Sequence, residues 1–280
     1  MKIEKTKFAK ICNLESYKSR ILKMVGNVDI WYSYGIPLNK RFARIQILHV
    51  SNALSLKTDG IVLSFFDRVR FFILGFFFKR SVKFVDLWSC ESKFTMSLIT
   101  KLDVSSDIIH ISKNGLENEK PNIIAPSNDS NRYFVAIGTY SYKRLDLLIS
   151  WFLDNSNLYK DLKLKIIGEV PELAALKHKS LEWMGVLPHT EVLGVLKNSF
   201  AYISFSEIEN SSNALAEAAQ FNKKLVVSDI ASHREFLDLN CIKYSTKDGI
   251  LETIDSYKFD QFKFGWQIVN AELLDRIRAI

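Results

Sequence analysis

From Arg132 onward the chain alternates short apolar runs with helical stretches, and nothing else in it narrows the fold as much. Tyr133-Phe-Val-Ala-Ile137 reads as a strand, followed by a loop and a helix from about Leu145 to Asp154. Leu162-Lys-Leu-Lys-Ile-Ile167 is a second strand ending at Gly168, with a helix around Pro171 to Lys179. Leu181-Glu-Trp-Met184 stops at Gly185, and Thr190 caps a helix through Lys197. Phe200-Ala-Tyr-Ile-Ser-Phe205, Lys224-Leu-Val-Val-Ser228 and Cys241-Ile-Lys-Tyr-Ser245 are further strands, with a helix near Ser232 to Leu237. Strands joined through helices by short links require a parallel sheet covered on both faces. Ligands of such sheets sit beyond the strand C-termini. Gly138, Gly168, Gly185 and the loop carrying Glu209 all fall at that edge, so four strand ends point to one site.

The front half carries fewer markers. Val28-Asp-Ile-Trp-Tyr32, Arg44-Ile-Gln-Ile-Leu-His-Val50, Val85-Asp-Leu-Trp-Ser89 and Ile108-Ile-His-Ile111 read as strands with helices between them. Asn114-Gly115 is a turn signal, and Glu117-Asn-Glu-Lys-Pro-Asn122 is polar enough for a linker. The expected division is residues 1–122, 123–262, and a last amphipathic helix over 263–280 built on Phe262, Phe264, Trp266, Ile268, Leu273, Leu274 and Ile277.

At 280 residues and 48% hydrophobic, the chain has enough length for two domains with their own cores. Cys12, Cys90 and Cys241 are odd in number and widely spaced, which implies neither a disulfide framework nor a zinc cluster and suits a reducing cytoplasm. The charged start, Met1-Lys-Ile-Glu-Lys-Thr-Lys7, lacks a signal-peptide apolar stretch. The net charge of +7 lies in the front: residues 1–125 hold 20 Lys/Arg against 11 Asp/Glu, the remainder 18 against 20. Residues 61–80 mix seven phenylalanines with Arg68, Arg70, Lys79 and Arg80. The charges break any run long enough to span a bilayer. Two readings stand, a helix lying on an anionic membrane surface or a core helix with a charged outer face. Nucleic acid is not expected, since no helix-turn-helix, zinc or RNP signature accompanies the charge.

The chemistry concentrates in Ser204-Phe-Ser-Glu-Ile-Glu-Asn-Ser-Ser-Asn-Ala-Leu-Ala-Glu217. Asn210, Ser211, Ser212 and Asn213 are helix-capping types, and Ala214-Leu-Ala-Glu-Ala-Ala-Gln220 is strong helix former. Free first-turn amides and the positive end of the helix dipole suit a phosphate. Glu209 in the loop and Glu217 inside the helix would then accept from sugar hydroxyls on either side of a diphosphate. Two glutamates at this spacing are common, and the converging strand ends are what give the pair weight.

These features taken together resemble the glycosyltransferase family 4 group of retaining, GT-B-fold nucleotide-sugar transferases. The resemblance covers most of residues 108–238. It rests on Ile111-Ser-Lys-Asn-Gly-Leu116, Ile137-Gly-Thr-Tyr-Ser-Tyr-Lys-Arg-Leu-Asp-Leu-Leu148, Ile166-Ile-Gly-Glu-Val-Pro-Glu172, Met184-Gly-Val-Leu187, the Glu209 to Glu217 element and Val227-Ser-Asp-Ile-Ala-Ser-His-Arg-Glu235. It implies an α/β chain of two Rossmann-like domains facing a cleft, the N-terminal acceptor-side one shortened, and a last helix crossing back to it. On the donor side it implies Gly138, Thr139, Lys143, Arg144, Gly168, Val186, Glu209, Ser211, Ser212, Asn213 and Glu217. Lys143 would hold the diphosphate, Glu209 the transferred sugar and Glu217 the ribose, with Lys143 and Glu209 the catalytic pair. Thr139 stands where many members have arginine, and Arg144 either takes that part or is a solvated helix-start residue. His49 is either an acceptor-side or catalytic residue or a hydrogen-bonded structural histidine; Ser92 and Lys93 either face the cleft or cap a helix. No metal and no cofactor are implied. The resulting expectation is a cytoplasmic transferase, peripheral on the inner membrane, that moves a sugar from a nucleoside-diphosphate-sugar to a glycan or lipid-linked acceptor of O-antigen or capsule. A non-catalytic nucleotide-sugar-binding subunit and, more weakly, an epimerase or phosphorylase are the rival readings.

Overall fold

The computed structural model describes residues 28–116, 132–157, 162–239, 242–254 and 266–280. Cys12, Cys241, the polar stretch 117–122, Phe262 and Phe264 lie outside them. The chain divides into two compact units, Met1–Lys113 with Gln267–Ile280, and Asn114–Trp266.

The first unit holds strands β1 (Ile30–Tyr34), β2 (Ile45–Val50), β3 (Leu87–Cys90) and β4 (Ile109–Ile111), with helices α1 (Phe65–Ser81) and α2 (Lys93–Thr100). The four strands are parallel and lie side by side in chain order. Every side chain of β2 is buried, because both sheet faces are covered. On one face Leu48, Val50, Trp88 and Cys90 pack with Phe78 of α1 and Ile99 of α2. On the other, Ile45, Ile47 and Leu87 meet Leu273 and Ile277 of the C-terminal helix, Trp266–Arg278. β1 starts two residues later than the sequence suggests, since pairing begins at Ile30 opposite Ile45. β3 likewise starts after Asp86, whose carboxylate accepts from the Gln46 amide at 2.7 Å and from the Arg41 guanidinium at 2.8 and 2.9 Å.

In the second unit the order is β5 (Tyr133–Ile137), α3 (Leu145–Asp154), β6 (Lys163–Ile167), α4 (Pro171–Ala174), β7 (Leu181–Gly185), α5 (His189–Asn198), β8 (Ala201–Ser204), α6 (Asn213–Gln220), β9 (Lys224–Ser228), α7 (Ala231–Leu239), β10 (Tyr244–Lys247) and β11 (Ile250–Thr253). The sheet runs β10-β11-β9-β8-β5-β6-β7. Strands β5 to β9 are parallel. Period-two alternation is visible in β5: Phe134 and Ala136 pack with Leu148, Ile149 and Phe152 of α3, whereas Val135 and Ile137 face Leu193, Leu196, Leu215 and Leu237 of α5, α6 and α7. The chain builds outward from β5 through β6 and β7, then returns to lay β8 on the other flank of β5. The loops after β5 and β8 therefore leave the sheet in adjacent places on either side of a strand-order reversal, where open α/β sheets form a crevice.

Three expectations need correction here. The helix at Pro171 ends at Ala174 rather than Lys179, because the Leu176 carbonyl is taken by the Trp183 indole at 3.3 Å and the Leu181 amide closes a turn onto His178 at 3.0 Å. Thr190 is not a cap: α5 begins at His189 behind Pro188 without a side-chain cap. The strand expected at Cys241–Ser245 is β10 at Tyr244–Lys247, and it pairs antiparallel with β11, which runs antiparallel to β9. Asp248 and Gly249, at φ +50° and +74°, supply the tight turn between them.

Candidate functional site

A cleft of about 450 Å³ opens at the C-terminal edge of the second unit's sheet. Its floor is the ends of β5 and β6, where Gly138 donates to the Ile167 carbonyl at 3.0 Å and Gly168 to the Gly185 carbonyl at 2.8 Å. Gly168 sits at φ +122°, and a Cβ there would collide with the Gly138 carbonyl oxygen. Only glycine lets these two strand ends approach so closely.

The loop after β5 folds into a single 3-10 turn, Ser141–Lys143, which brings Lys143 back over Gly138. The loop after β8 places Glu209 against it, and the Lys143 ammonium and Glu209 carboxylate form an ion pair with side chains 18% and 10% exposed. Burial by itself pulls the Lys143 ammonium down, but Glu209, with smaller help from Tyr202 and Tyr142, outweighs it and pushes the lysine up to about 12. Lys143 is therefore a fixed cation at neutral pH. On the far wall α6 begins behind Ser212, whose hydroxyl accepts from the Leu215 amide at 3.4 Å. Ser211, Ser212, Asn213 and Ala214 line the cleft at this helix start. A carboxylate, an ammonium and a helix N-terminus thus converge where an anionic group with an attached polyol would fit.

Of the residues singled out from the sequence, Gly138, Thr139, Lys143, Gly168, Val186, Glu209, Ser211, Ser212 and Asn213 line this one cleft. Two do not. Arg144, at φ +48°, turns away: its guanidinium grips Asp146 at 2.9 and 3.0 Å and Glu207 at 2.6 Å. Those carboxylates raise its pKa, Asp146 foremost, and hold the loop against α3 instead of offering a second cation to the cleft. Glu217 lies beyond the lining and accepts from His189, whose Nε2 is 2.9 Å from its Oε1. Tyr140 and Tyr142 also line the cleft, with rings stacked at 5.4 Å. Aromatic residues in a strand-end loop beside a glycine were the signal for them.

Beneath Glu209 lies a buried polar layer. Ser204 and Ser206 hydroxyls are 3.0 Å apart, and the Ser228 hydroxyl donates to the Ser206 carbonyl at 2.5 Å. His233 is fully buried with Nδ1 2.8 Å from the Ser228 carbonyl, so Nδ1 carries the proton. Burial, against the opposing pull of Glu209, lowers the His233 pKa and keeps the ring neutral.

In the first unit His49 is 4% exposed at the end of β2, its Nδ1 3.0 Å from the Ser89 hydroxyl and its Nε2 3.4 Å from the Glu91 carboxylate. Tyr34 stacks on its ring at 4.8 Å. Glu91 also helps push the Tyr32 hydroxyl up to about 12, after burial and Tyr34. His49 is thus held from both ring nitrogens. Ser92 caps α2, accepting from the Thr95 amide at 3.1 Å, and Lys93 is exposed. Among the described residues no three His, Cys, Asp or Glu side chains cluster as a metal site, and no helix is long and apolar enough to cross a membrane.

A parallel sheet in the first unit and a mostly parallel one in the second, which reverses its strand order beside a glycine-floored cleft, define an α/β, Rossmann-like fold of the GT-B kind. Solved structures bear this out. The chain is similar to TarM of S. aureus, with a TM-score of 0.61 at 15% identity over 92% of this chain and 51% of that one. It is similar to HepE of Anabaena, solved in complex with UDP and glucose, with a TM-score of 0.57 at 11% identity over 82% of this chain and 67% of that one. The pneumococcal O-GlcNAc transferase GtfA, in complex with UDP and GlcNAc, aligns with a TM-score of 0.52 at 11% identity, over 76% of this chain and 44% of that one. The chain spans about half the length of the TarM structures it matches. No protein-family model matches the chain, and no curated protein matches it in sequence.

Proposed function

We propose that this protein transfers a sugar from a nucleoside-diphosphate-sugar to a glycan acceptor. The observation that carries the reading is the Lys143 ammonium, held charged at the floor of a strand-end cleft between Glu209 and the start of α6. The HepE structures with UDP and UDP-glucose and the TarM mutant complex with alpha-GlcNAc-glycerol and UDP support it by likeness of fold.

The donor diphosphate would lie across Lys143 and the amides of Ser211 to Asn213, with the sugar toward Glu209 and the ribose toward Glu217. As the glycosidic bond to the donor breaks, negative charge grows on the leaving diphosphate, and a preorganised cation beside it lowers the barrier. Lys143 would leave Glu209 for the phosphate, which frees the carboxylate to accept from a sugar hydroxyl. Glu209 orients the sugar and makes no covalent bond to it. We take the reaction to retain anomeric configuration, to run without a resident metal, and to belong with glycosyltransferase family 4, on the motif resemblance across residues 108–238. The acceptor we propose is a lipid-linked glycan of a bacterial surface polysaccharide, O-antigen or capsule, reached from the cytoplasmic face of the inner membrane.

The test is turnover of UDP-, GDP- and dTDP-sugars by the full chain and by Glu209→Ala. Loss of transfer in the variant with nucleotide binding kept is expected. Unchanged turnover in Glu209→Ala would remove that residue from the mechanism, and nucleotide binding without any turnover would favour a non-catalytic binding subunit.

A further inference from the structure

Helix α1 is apolar on two opposite faces, and among the described residues only one of them is covered. Phe71, Phe78 and Ser81 are buried in the first unit. There Phe78 packs on Trp88 at 6.5 Å, and Ser81 accepts from the Leu38 amide at 2.8 Å while donating to the Leu38 carbonyl. Gly75 lies so close to the Ser55 carbonyl that a Cβ would stand 2.9 Å from it. The inner face is thereby fixed. On the outer face Phe65, Phe66, Phe72 and Phe76 are 74%, 82%, 75% and 55% exposed, with exposed Val69 and Ile73 among them. Steps of three and four put these six on one continuous stripe. A water-facing helix surface normally carries polar residues there, and a patch of this kind marks an interaction site.

Charge identifies the occupant. Arg68 and Lys79, about three turns apart, share one margin of the stripe, and Arg70 stands on the other. Arg80 in the last turn lies over the Phe76 ring at 5.8 Å. The helix has a single acid, Asp67, which accepts from the Ser64 hydroxyl at 2.8 Å in the first turn. Two copies of such a face would bring like charges together, and a protein partner would need acids on both margins and phenylalanine pockets between. A phenylalanine stripe with cations on both edges instead suits the boundary of an anionic bilayer, where rings enter the acyl region and arginine and lysine reach the headgroup phosphates. We infer that the outer face of α1 is a docking surface for an anionic lipid bilayer. The helix lies in the interface plane; it does not cross. This goes beyond the transfer reading and stands without it.

Vesicle co-sedimentation of the full chain tests it, with phosphatidylcholine vesicles and vesicles about one third phosphatidylglycerol. Strong preference for the anionic vesicles is expected. Phe66→Ser with Phe72→Ser should lower the partition coefficient about a hundredfold, taking roughly tenfold for each ring withdrawn from the acyl boundary. Arg70→Glu with Lys79→Glu should abolish the preference for anionic lipid while leaving the rings in place. All four positions are exposed, so thermal melts and UDP calorimetry of both variants should match the parent, which separates this test from the donor-site reading. Equal vesicle binding by parent and Phe variant would overturn the inference. So would a parent that ignores vesicles and forms a dimer which the Phe variant dissolves, since the face would then be a self-association surface.

Discussion

Removing either partner of the Lys143 and Glu209 pair should act in opposite directions on nucleotide binding and in the same direction on stability. A rise of the Lys143 pKa from the ordinary 10.5 to about 12 corresponds to about 2 kcal/mol favouring the folded, charged form. Because the folded value lies above the unfolded one, this contribution is whole below about 10.5 and disappears as pH rises through about 12. Lys143→Met strands the Glu209 carboxylate, 10% exposed, and should cost about 2–3 kcal/mol. Glu209→Gln keeps an acceptor beside the ammonium and should cost about 1 kcal/mol. The double variant should be less destabilised than the two losses added, with a coupling of about 2 kcal/mol in urea unfolding at neutral pH. Calorimetry with UDP supplies the opposing signs: Lys143→Met should weaken binding about 10- to 100-fold, the range for one charged hydrogen bond. Glu209→Gln should hold or improve it several-fold, since Lys143 is no longer shared. Additive unfolding costs, or equal weakening of UDP by both single variants, would refute the reasoning.

Arg144→Ala should reduce stability by about 1 kcal/mol through loss of its contacts to Asp146 and Glu207, while UDP affinity stays within about twofold. A tenfold loss of affinity would return Arg144 to the phosphate. Gly168→Ala should destabilise by at least about 2 kcal/mol, from the positive φ and the collision with the Gly138 carbonyl, and urea unfolding reads it directly. Burial lowers the folded pKa of both His233 and His110, so the unfolded chain takes up protons first. The melting temperature should therefore start to fall as pH drops below about 6.5, ahead of carboxylate protonation, and His233→Gln should flatten part of that slope.

Strands β5, β8 and β9 of the second unit were legible because each centres on an uninterrupted apolar run, as in Tyr133–Ile137 and Leu225–Val227. Their exit loops then follow from the sheet's connectivity, which is why residues as far apart in sequence as Gly138 and Asn213 could be grouped beforehand. Where tertiary partners decide, the sequence was mute. Arg144 follows Lys143 directly, yet its left-handed backbone sends it to Glu207, and nothing local announces that conformation for an arginine. Glu91 meets His49 only because β2 and β3 pair with His49 opposite Ser89. The Asp248-Gly249 turn was a readable hairpin signal, and reading Cys241 to Ser245 as one more parallel strand missed it. The seven phenylalanines of 61–80 left two faces undecided, and packing separates the buried pair from the exposed four.

The most direct measurement is titration of the full chain with UDP, GDP and dTDP by calorimetry, with amide hydrogen exchange recorded on the saturated complex. Saturable binding of at least one nucleotide is predicted, with protection confined to 137–144, 185–187 and 209–217 and, at a nucleotide concentration that just saturates the parent, reduced in Lys143→Met. No binding at millimolar nucleotide, or protection that maps elsewhere in the chain, would contradict the assignment of a diphosphate to the Lys143 and Glu209 cleft.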